Sequence, residues 1–336
     1  MKTWLYPQLG LDNLQLTDRP QLPPCPREVT VKFHAASVNY RDLLFARGLY
    51  NPRPNLPAVP LSDGAGEIIA LGPEVSRWKI GDRVCPIFLQ QWLTGPRTAA
   101  VSRSALGAGD LDGVLRETAN FHEDGLVSIP PHLSYEEAAT LPCAAVTAWH
   151  ALKHVGQFAP GETVLILGTG GVSIFALQFA KALGARVIIT SGNDEKLARA
   201  RSLGADETIN YRTTPAWDKE VLRLTDNIGA DRVIEVGGAG TLPRSVNATR
   251  IEGTIPLIGV LASGAGLDPM RVLMKSIRLQ GLLVGSRQMF EEMNEVITRH
   301  RLIPIVSRTF TFAEAREAIA TLAQADHFGK IVIRFA

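Results

Sequence analysis

Cysteine is scarce in this chain of 336 residues: there are three, Cys25, Cys85 and Cys143, far apart and odd in number. They supply no disulfide framework, and that agrees with a reducing cytoplasm. A surplus of charge is also missing, since 35 Lys and Arg against 33 Asp and Glu leave +2, with no basic run. Neither nucleic acid nor an anionic membrane is indicated as a partner. No apolar stretch is long enough to span a bilayer, and the opening MKTWLYPQLG has no apolar core of a signal peptide. Internal repeats and low-complexity segments are absent too. What the chain does have is 46% hydrophobic residues beside 20% charged ones. That is the balance of a globular protein with a sizeable core, in one or two domains.

The most informative stretch is 161–191, GETVLILGTGGVSIFALQFAKALGARVIITS. The apolar run from Thr163 to Leu167 reads as a strand buried on both faces. A glycine-rich turn follows, Gly168-Thr169-Gly170-Gly171-Val172-Ser173, then a helix-period segment with Ile174 and Leu177 on its apolar side. Gly184 closes that helix, and Arg186 to Thr190 is a second buried strand, which makes a βαβ unit with a parallel pair. Gly168 allows the tight turn, and Gly170 lets a pyrophosphate approach the backbone. The helix opening at Gly171 and Val172 then aims free N–H groups at that anion. A strict G-x-G-x-x-G would place a third glycine where Ser173 stands, and serine is small enough for close packing.

An acid about 20 residues past the turn would hold the ribose 2′-hydroxyl of NAD. Here that place holds Thr190-Ser191-Gly192-Asn193, with Lys196 and Arg199 in the next helix and Tyr211-Arg212 after the third strand. Hydroxyls, an amide and cations suit a 2′-phosphate, so NADP is favoured over NAD. The competing reading is that Asn193 or Asp194 caps the next helix and Lys196 is a solvated charge.

Residues 1–129 read as many short strands with turn punctuation. Val59 to Gly72 is expected as a turn running into a strand, and 89–112 as a long surface insertion. The prolines of Leu49-Tyr50-Asn51-Pro52-Arg53-Pro54 make that segment irregular. Ser134 is an N-cap, and there strand-like composition gives way to alternating β and α. The boundary is therefore expected near Ile129. Beyond it come six strands with interleaved helices, the count of a doubly wound nucleotide domain. The last is Ile277 to Val284, and the strand before Gly237-Gly238 is buried. The tail, ending in the strand Lys330 to Phe335, is expected to return to the first domain.

Several ordered segments now stand together: SVNYRD at 37–42, VPLSDGAGE at 59–67, GDRV at 81–84, ATLPCAAVTAW at 139–149, the GTGGVS turn and a terminal GKIVI at 329–333. Over essentially its whole length the chain resembles the medium-chain dehydrogenase/reductase superfamily, most closely its zinc-independent, quinone-oxidoreductase-like and alcohol dehydrogenase-like branch. The resemblance implies a GroES-like, mainly β catalytic domain (1–128 and 286–336), a Rossmann NADP-binding domain (129–285) with a doubly wound parallel sheet, and a cleft between them. It also implies a homodimer, pairing near Leu279 to Val284. By the same resemblance Asn39 and Tyr50 line the substrate cleft as catalytic candidates. Thr147 lies near the nicotinamide and its ribose, and the backbones of Gly259-Val260-Leu261 and Val284-Gly285-Ser286 border the nicotinamide. Asn39 also reads as a cap of its own helix, Tyr50 as a wall residue with a wet hydroxyl, and Thr147 as a core threonine bonded to its own helix.

Zinc members of the family carry ligands where this chain has Asn39, Ser62 and Cys143, with an acid at Asp63. A lone thiolate does not hold a catalytic zinc, and the four cysteines of a structural zinc lobe are missing, so no metal is expected. His150 and His154, four apart on a helix, lack a third ligand. The function expected is NADPH-dependent hydride transfer to a small-molecule quinone or α,β-unsaturated carbonyl. A zinc-free alcohol dehydrogenase or ketone reductase is one alternative, and a NADPH-binding structural or regulatory protein with little turnover is another.

Overall fold

The computed structural model of the chain describes residues 1–51, 53–109, 111–259, 261 and 266–335. Pro52 and Val260 of the readings above lie outside them. The chain divides into two compact units, Met1–Val146 with Val284–Ala336, and Thr147–Leu283.

The first unit is built on the strand Glu28–Val38. Val29, Val31 and Phe33 are at most 1% exposed while Lys32 faces solvent, the alternation a half-buried strand requires. Asp63–Leu71 pairs along one edge. The other edge is shared: Thr118–His122 pairs with its first half, and Lys330–Arg334 with its second. All three pairings are antiparallel. Ile331 stands opposite Val38, so the tail does return to the first unit and delivers Lys330 beside the end of the central strand. Arg83–Pro86 and Leu126–Ser128 extend the sheet. Val59 to Gly72 is not a turn up to Gly66, because the strand already begins at Asp63. Its glycines answer a packing demand: a Cβ on Gly66 would run into the Lys32 carbonyl, and one on Gly64 into the Phe33 ring.

Two further expectations differ. Residues 89–112 are a surface insertion only in part: 94–100 are exposed, but Leu89, Trp92 and Leu106 are buried. Trp92 and Leu93 also accept backbone hydrogen bonds from Arg287 and Gln288. The first unit runs on to Val146 rather than stopping near Ile129. Ser134 does cap a helix, Tyr135–Ala138. The segment that follows, however, is tied back by Ser37 Oγ donating to Ala139 O (2.9 Å) and Cys85 Sγ to Ala138 O (3.4 Å).

The second unit holds six parallel strands in the order Glu207–Asn210, Arg186–Ser191, Thr163–Leu167, Ala230–Ile234, Thr249–Leu257, Arg278–Gly281. Chain order reverses between Thr163–Leu167 and Ala230–Ile234, the switch point at which open α/β sheets bind ligands. Arg232, in the strand Ala230–Ile234, is 1% exposed. It donates to the carbonyls of Ala151, Val155 and Gln157 at the end of the helix Val146–Lys153. A cation there meets the negative end of the helix dipole.

In the first unit, Glu123 is fully buried. It accepts from the N–H groups of Ser76 and Arg77 and from Arg27 Nε, each at 2.9 Å. Burial alone would raise its pKa, but these donors outweigh it and hold the carboxyl at about 2. A folded-state pKa below the unfolded one stabilises fully above the unfolded value, here 4.5, and the contribution is lost as pH falls through the folded one. Glu123→Gln should therefore cost about 1–3 kcal/mol at pH 7. The gap from wild type should close between about pH 4.5 and 2 in urea unfolding curves.

Candidate active site

The C-terminal ends of the parallel strands carry the predicted nucleotide residues of the second unit. Gly168 turns out of Thr163–Leu167 with φ +72°, a conformation that favours glycine. Its N–H donates to Thr190 Oγ1 at 3.3 Å. Ser173, in the place of the third glycine, is buried and donates to Leu167 O at 2.7 Å, so it closes the turn it was expected only to tolerate. The helix Gly171–Ala182, which includes Val172, has Gly170 as its N-cap and no side chain bonded to its first N–H groups. Those donors and the positive end of the dipole form an anion site.

Ser191 ends its strand buried, and Asn210 stands beside it in the sheet. Asn193 does cap the next helix, its Oδ1 accepting from Lys196 N at 2.9 Å, and Asp194 is turned toward Asn210 Nδ2 at 2.7 Å. The Tyr211 ring lies against Gly192, where a Cβ would meet it at 2.8 Å, and Tyr211 is 44% exposed. Lys196 is half-buried in the first turn of that helix.

Gly237 sits in a loop held by a residue that sequence reasoning missed. Glu235, fully buried, accepts from Gly237 N (2.7 Å), Gly238 N (2.9 Å) and Thr241 Oγ1 (2.6 Å), and also from Ser245 Oγ. An acid inside a buried run was the available signal. Gly259 packs on the backbone of Val236, where any Cβ would collide with the Val236 carbonyl. Leu261 is 52% exposed. Thr147 is buried, and no carbonyl of its own helix accepts from its hydroxyl among the described residues. Gly285 belongs to the first unit, packed on Val146 and Met289.

In the first unit Asn39 is the N-cap of the helix Tyr40–Ala46, and its N–H donates to Asp42 Oδ2 at 2.8 Å. Its side-chain Oδ1 accepts from Lys330 Nζ at 2.6 Å, and its Nδ2 is buried with no acceptor. Lys330, 4% exposed, also donates to Val38 O at 2.7 Å and lies 3.8 Å from Asp63 Oδ2. Asp63 accepts from Ser62 Oγ (2.7 Å), Ser37 Oγ (3.4 Å) and Cys143 N (3.2 Å). Leu61, at φ +68°, turns the chain into this cluster.

Arg41 joins the cluster to Tyr50. Its Nε donates to Asp42 Oδ1 at 3.0 Å and its Nη2 to Leu106 O at 2.6 Å. The guanidinium lies 4.6 Å from the Phe88 ring centroid and 5.6 Å from that of Tyr50, and its Nη1 is buried without an acceptor. Burial raises the Asp42 pKa, against the pull of Arg41 and the Asn39 N–H. The Tyr50 hydroxyl has no protein partner among the described residues, and its ring packs on the first unit's core.

Residues 25–131 match the family profile described as alcohol dehydrogenase GroES-like domain, and 171–299 the one described as zinc-binding dehydrogenase. A zinc-type alcohol dehydrogenase-like protein of Schizosaccharomyces pombe is 44% identical over 317 residues, 92% of this chain and 91% of its own. The chain belongs to the medium-chain dehydrogenase/reductase superfamily. A quinone oxidoreductase of Pseudomonas aeruginosa is 31% identical, with 96% of each chain covered. Among solved structures, an NAD-dependent alcohol dehydrogenase is 32% identical with a TM-score of 0.91, covering 100% of both chains. A mycobacterial protein complexed with NADPH is 26% identical with a TM-score of 0.82, covering 99% of both. The chain is an oxidoreductase of this superfamily, with a GroES-like unit and a Rossmann-like parallel sheet.

The family raises the question of zinc, and the donor set here does not fit it. Asn39 spends its oxygen on Lys330, and Ser62 donates to Asp63. Burial, reinforced by Asp63, pushes the Cys143 thiol up. Cys143 is one ligand where a catalytic zinc needs three from the protein, and a dication at this point would face the ammonium of Lys330. His150 and His154 have ring centroids 6.2 Å apart. Among the described residues no three His, Cys, Asp or Glu side chains form a metal-holding group.

Glu235→Ala would orphan two backbone N–H groups and two hydroxyls. It should cost about 1–3 kcal/mol of stability and raise the dinucleotide Kd, checked by thermal unfolding and fluorescence titration.

Proposed function

We propose that the chain is an NADPH-dependent oxidoreductase that transfers hydride to a quinone or α,β-unsaturated carbonyl without a catalytic zinc. The observation that carries this reading is Asn39 Nδ2, a buried donor without an acceptor. Reduction of a conjugated carbonyl builds negative charge on oxygen, and a fixed, dry donor stabilises it. When bound, the reduced nicotinamide supplies the hydride. Asn39 holds the oxygen, Arg41 Nη1 is a second unpaired donor in the same cluster, and the Tyr50 hydroxyl can donate a third hydrogen bond. The proton that completes the product comes from solvent, so no side chain changes its charge.

The second unit supports NADP binding through its own chemistry. The uncapped helix start takes the pyrophosphate, while Ser191, Lys196 and Tyr211 are assigned to the 2′-phosphate, since the strand Arg186–Ser191 ends on a hydroxyl rather than an acid. Thr147, Gly259 and Leu261 are assigned to the nicotinamide side. Met270, Leu273 and Met274, 58–70% exposed, adjoin the outermost strand Arg278–Gly281 and support a homodimer through this face. The three cysteines, all free, accord with a cytoplasmic setting.

The alcohol dehydrogenase reading is favoured by the name of the 44%-identical relative. Product analysis separates the two, since a saturated ketone marks the first reading and an allylic alcohol the second. Cofactor binding without turnover on any acceptor would leave a binding protein instead. With an enone, quinone and aldehyde panel, NADPH should be preferred to NADH by about tenfold or more, about 1.4 kcal/mol, and a chelator should change nothing. Lys196→Ala should raise KM for NADPH about tenfold and leave that for NADH nearly unchanged. Light scattering should give twice the chain mass.

A further inference from the structure

Resting on that reading, we infer that Lys330 is a positioning residue for the reduction. Its ammonium fixes the Asn39 amide with the N–H side toward the substrate oxygen.

An ammonium has three donors and no acceptor. With Nζ 2.6 Å from the Asn39 side chain, only the amide oxygen can face it, because the flipped amide would set donor against donor. Nδ2 is thereby committed to the other side, where it has no partner. A hydrogen bond from a cation to the amide oxygen also polarises the amide and strengthens its N–H as a donor.

The plainer role for Lys330 is to balance Asp63, and the distances speak against that as its main task. Nζ is 3.8 Å from Asp63 Oδ2 but within hydrogen-bond reach of Asn39 Oδ1 and Val38 O. Asp63 already accepts from Ser62, Ser37 and Cys143. Arg41 with Asp42 and Lys330 with Asp63 make the cluster neutral overall, so the extra donor capacity lies at Asn39 and Arg41 rather than in a surplus cation.

The test is a double-mutant cycle of Lys330→Met and Asn39→Ala on the NADP⁺-loaded protein. The probe is 4-nitrophenolate, whose oxyanion needs no turnover to report on the donors. Each single change should weaken phenolate binding about tenfold or more, and the pair should be no weaker than Asn39→Ala alone to within about threefold. Lys330→Arg should recover most of the loss. On a quinone, Lys330→Met should lower kcat with little change in KM, the mark of an interaction made in the transition state.

Losses that multiply, a Lys330→Met protein that binds phenolate as wild type does, or a wild type that does not bind it would each overturn the inference. If Lys330→Met does not fold, Lys330→Met with Asp63→Asn removes the stranded carboxylate and gives the same reading. A wild type that binds phenolate with the predicted coupling yet reduces nothing in the acceptor panel would sink the proposed function alone. Turnover with independent losses would sink the role of Lys330 alone.

Discussion

A carboxylate shut away from water must have its lone pairs met by the protein, or it would cost several kcal/mol. Asp63, fully buried at the head of its strand, meets that demand with three donors: Ser62 from its own turn, Ser37 from the end of the central strand and the Cys143 N–H from the segment after the Tyr135–Ala138 helix. Lys330, from the last strand, makes no hydrogen bond to it and stands 3.8 Å away as the facing charge. This explains why residues 129–146 stay with the first unit, and why a chain that has completed a six-stranded sheet must come back to pair with Glu28–Val38. The strained turn at Leu61 belongs to the same requirement. Its backbone is crossed so closely by Gly107 and Gly113 that neither tolerates a side chain, which is the over-determination that a positive φ on leucine needs.

The second unit obeys a different constraint. All its strands run parallel, so their C-terminal ends share one edge, and each end leaves polar backbone to be satisfied. Ser173 and Thr190 close the first turn, and Glu235 closes the loop after the neighbouring strand Ala230–Ile234. The helix start at Gly171 is left with donors and no side-chain cap. Among the described residues, then, two turns at this edge are closed by internal hydrogen bonds and the helix start is left for an anion to complete. Those donors and the spare donors in the first unit suit different tasks in the proposed reaction, one holding a nucleotide and the other an oxygen that gains charge.

The second unit was legible because its signals are local. A buried strand, a glycine turn and an amphipathic helix follow one another in 30 residues, and the observed elements Thr163–Leu167, Gly171–Ala182 and Arg186–Ser191 lie where the pattern puts them. The first unit was legible only in outline. Trp92 and Leu89 looked like loop residues because the surfaces that bury them arrive from elsewhere in the chain, including Arg287 and Gln288. Lys330 is 291 residues from Asn39, and no periodicity links them. Arg41 stands next to its partner Asp42, yet the pair reads as surface charge because the Leu106 carbonyl that helps bury it lies 65 residues away. Glu235 reads as an ordinary charge because its partners are hydroxyls and backbone N–H groups rather than a cation. The domain boundary slipped for the same reason: composition changes near Ile129, but hydrogen bonds hold the chain to the first unit until Val146.

The character of the first-unit cluster also bears on the direction of the chemistry. Oxidising an alcohol requires something to receive the hydroxyl proton, a base or a metal that makes the alkoxide accessible. Asp63 already accepts from three donors, and Asp42 is held by Arg41 and the Asn39 N–H. The capacity left over is on Asn39 Nδ2, Arg41 Nη1 and the Tyr50 hydroxyl, all able to give a hydrogen bond. Only the last can also accept one. Such a site stabilises an oxygen that is becoming negative and offers little to one that must lose a proton. Conjugated acceptors spread the incoming charge over several atoms and so need less from the protein than an isolated ketone does. On this ground quinones and enones suit the cluster better than alcohols, whatever label the most similar relatives carry.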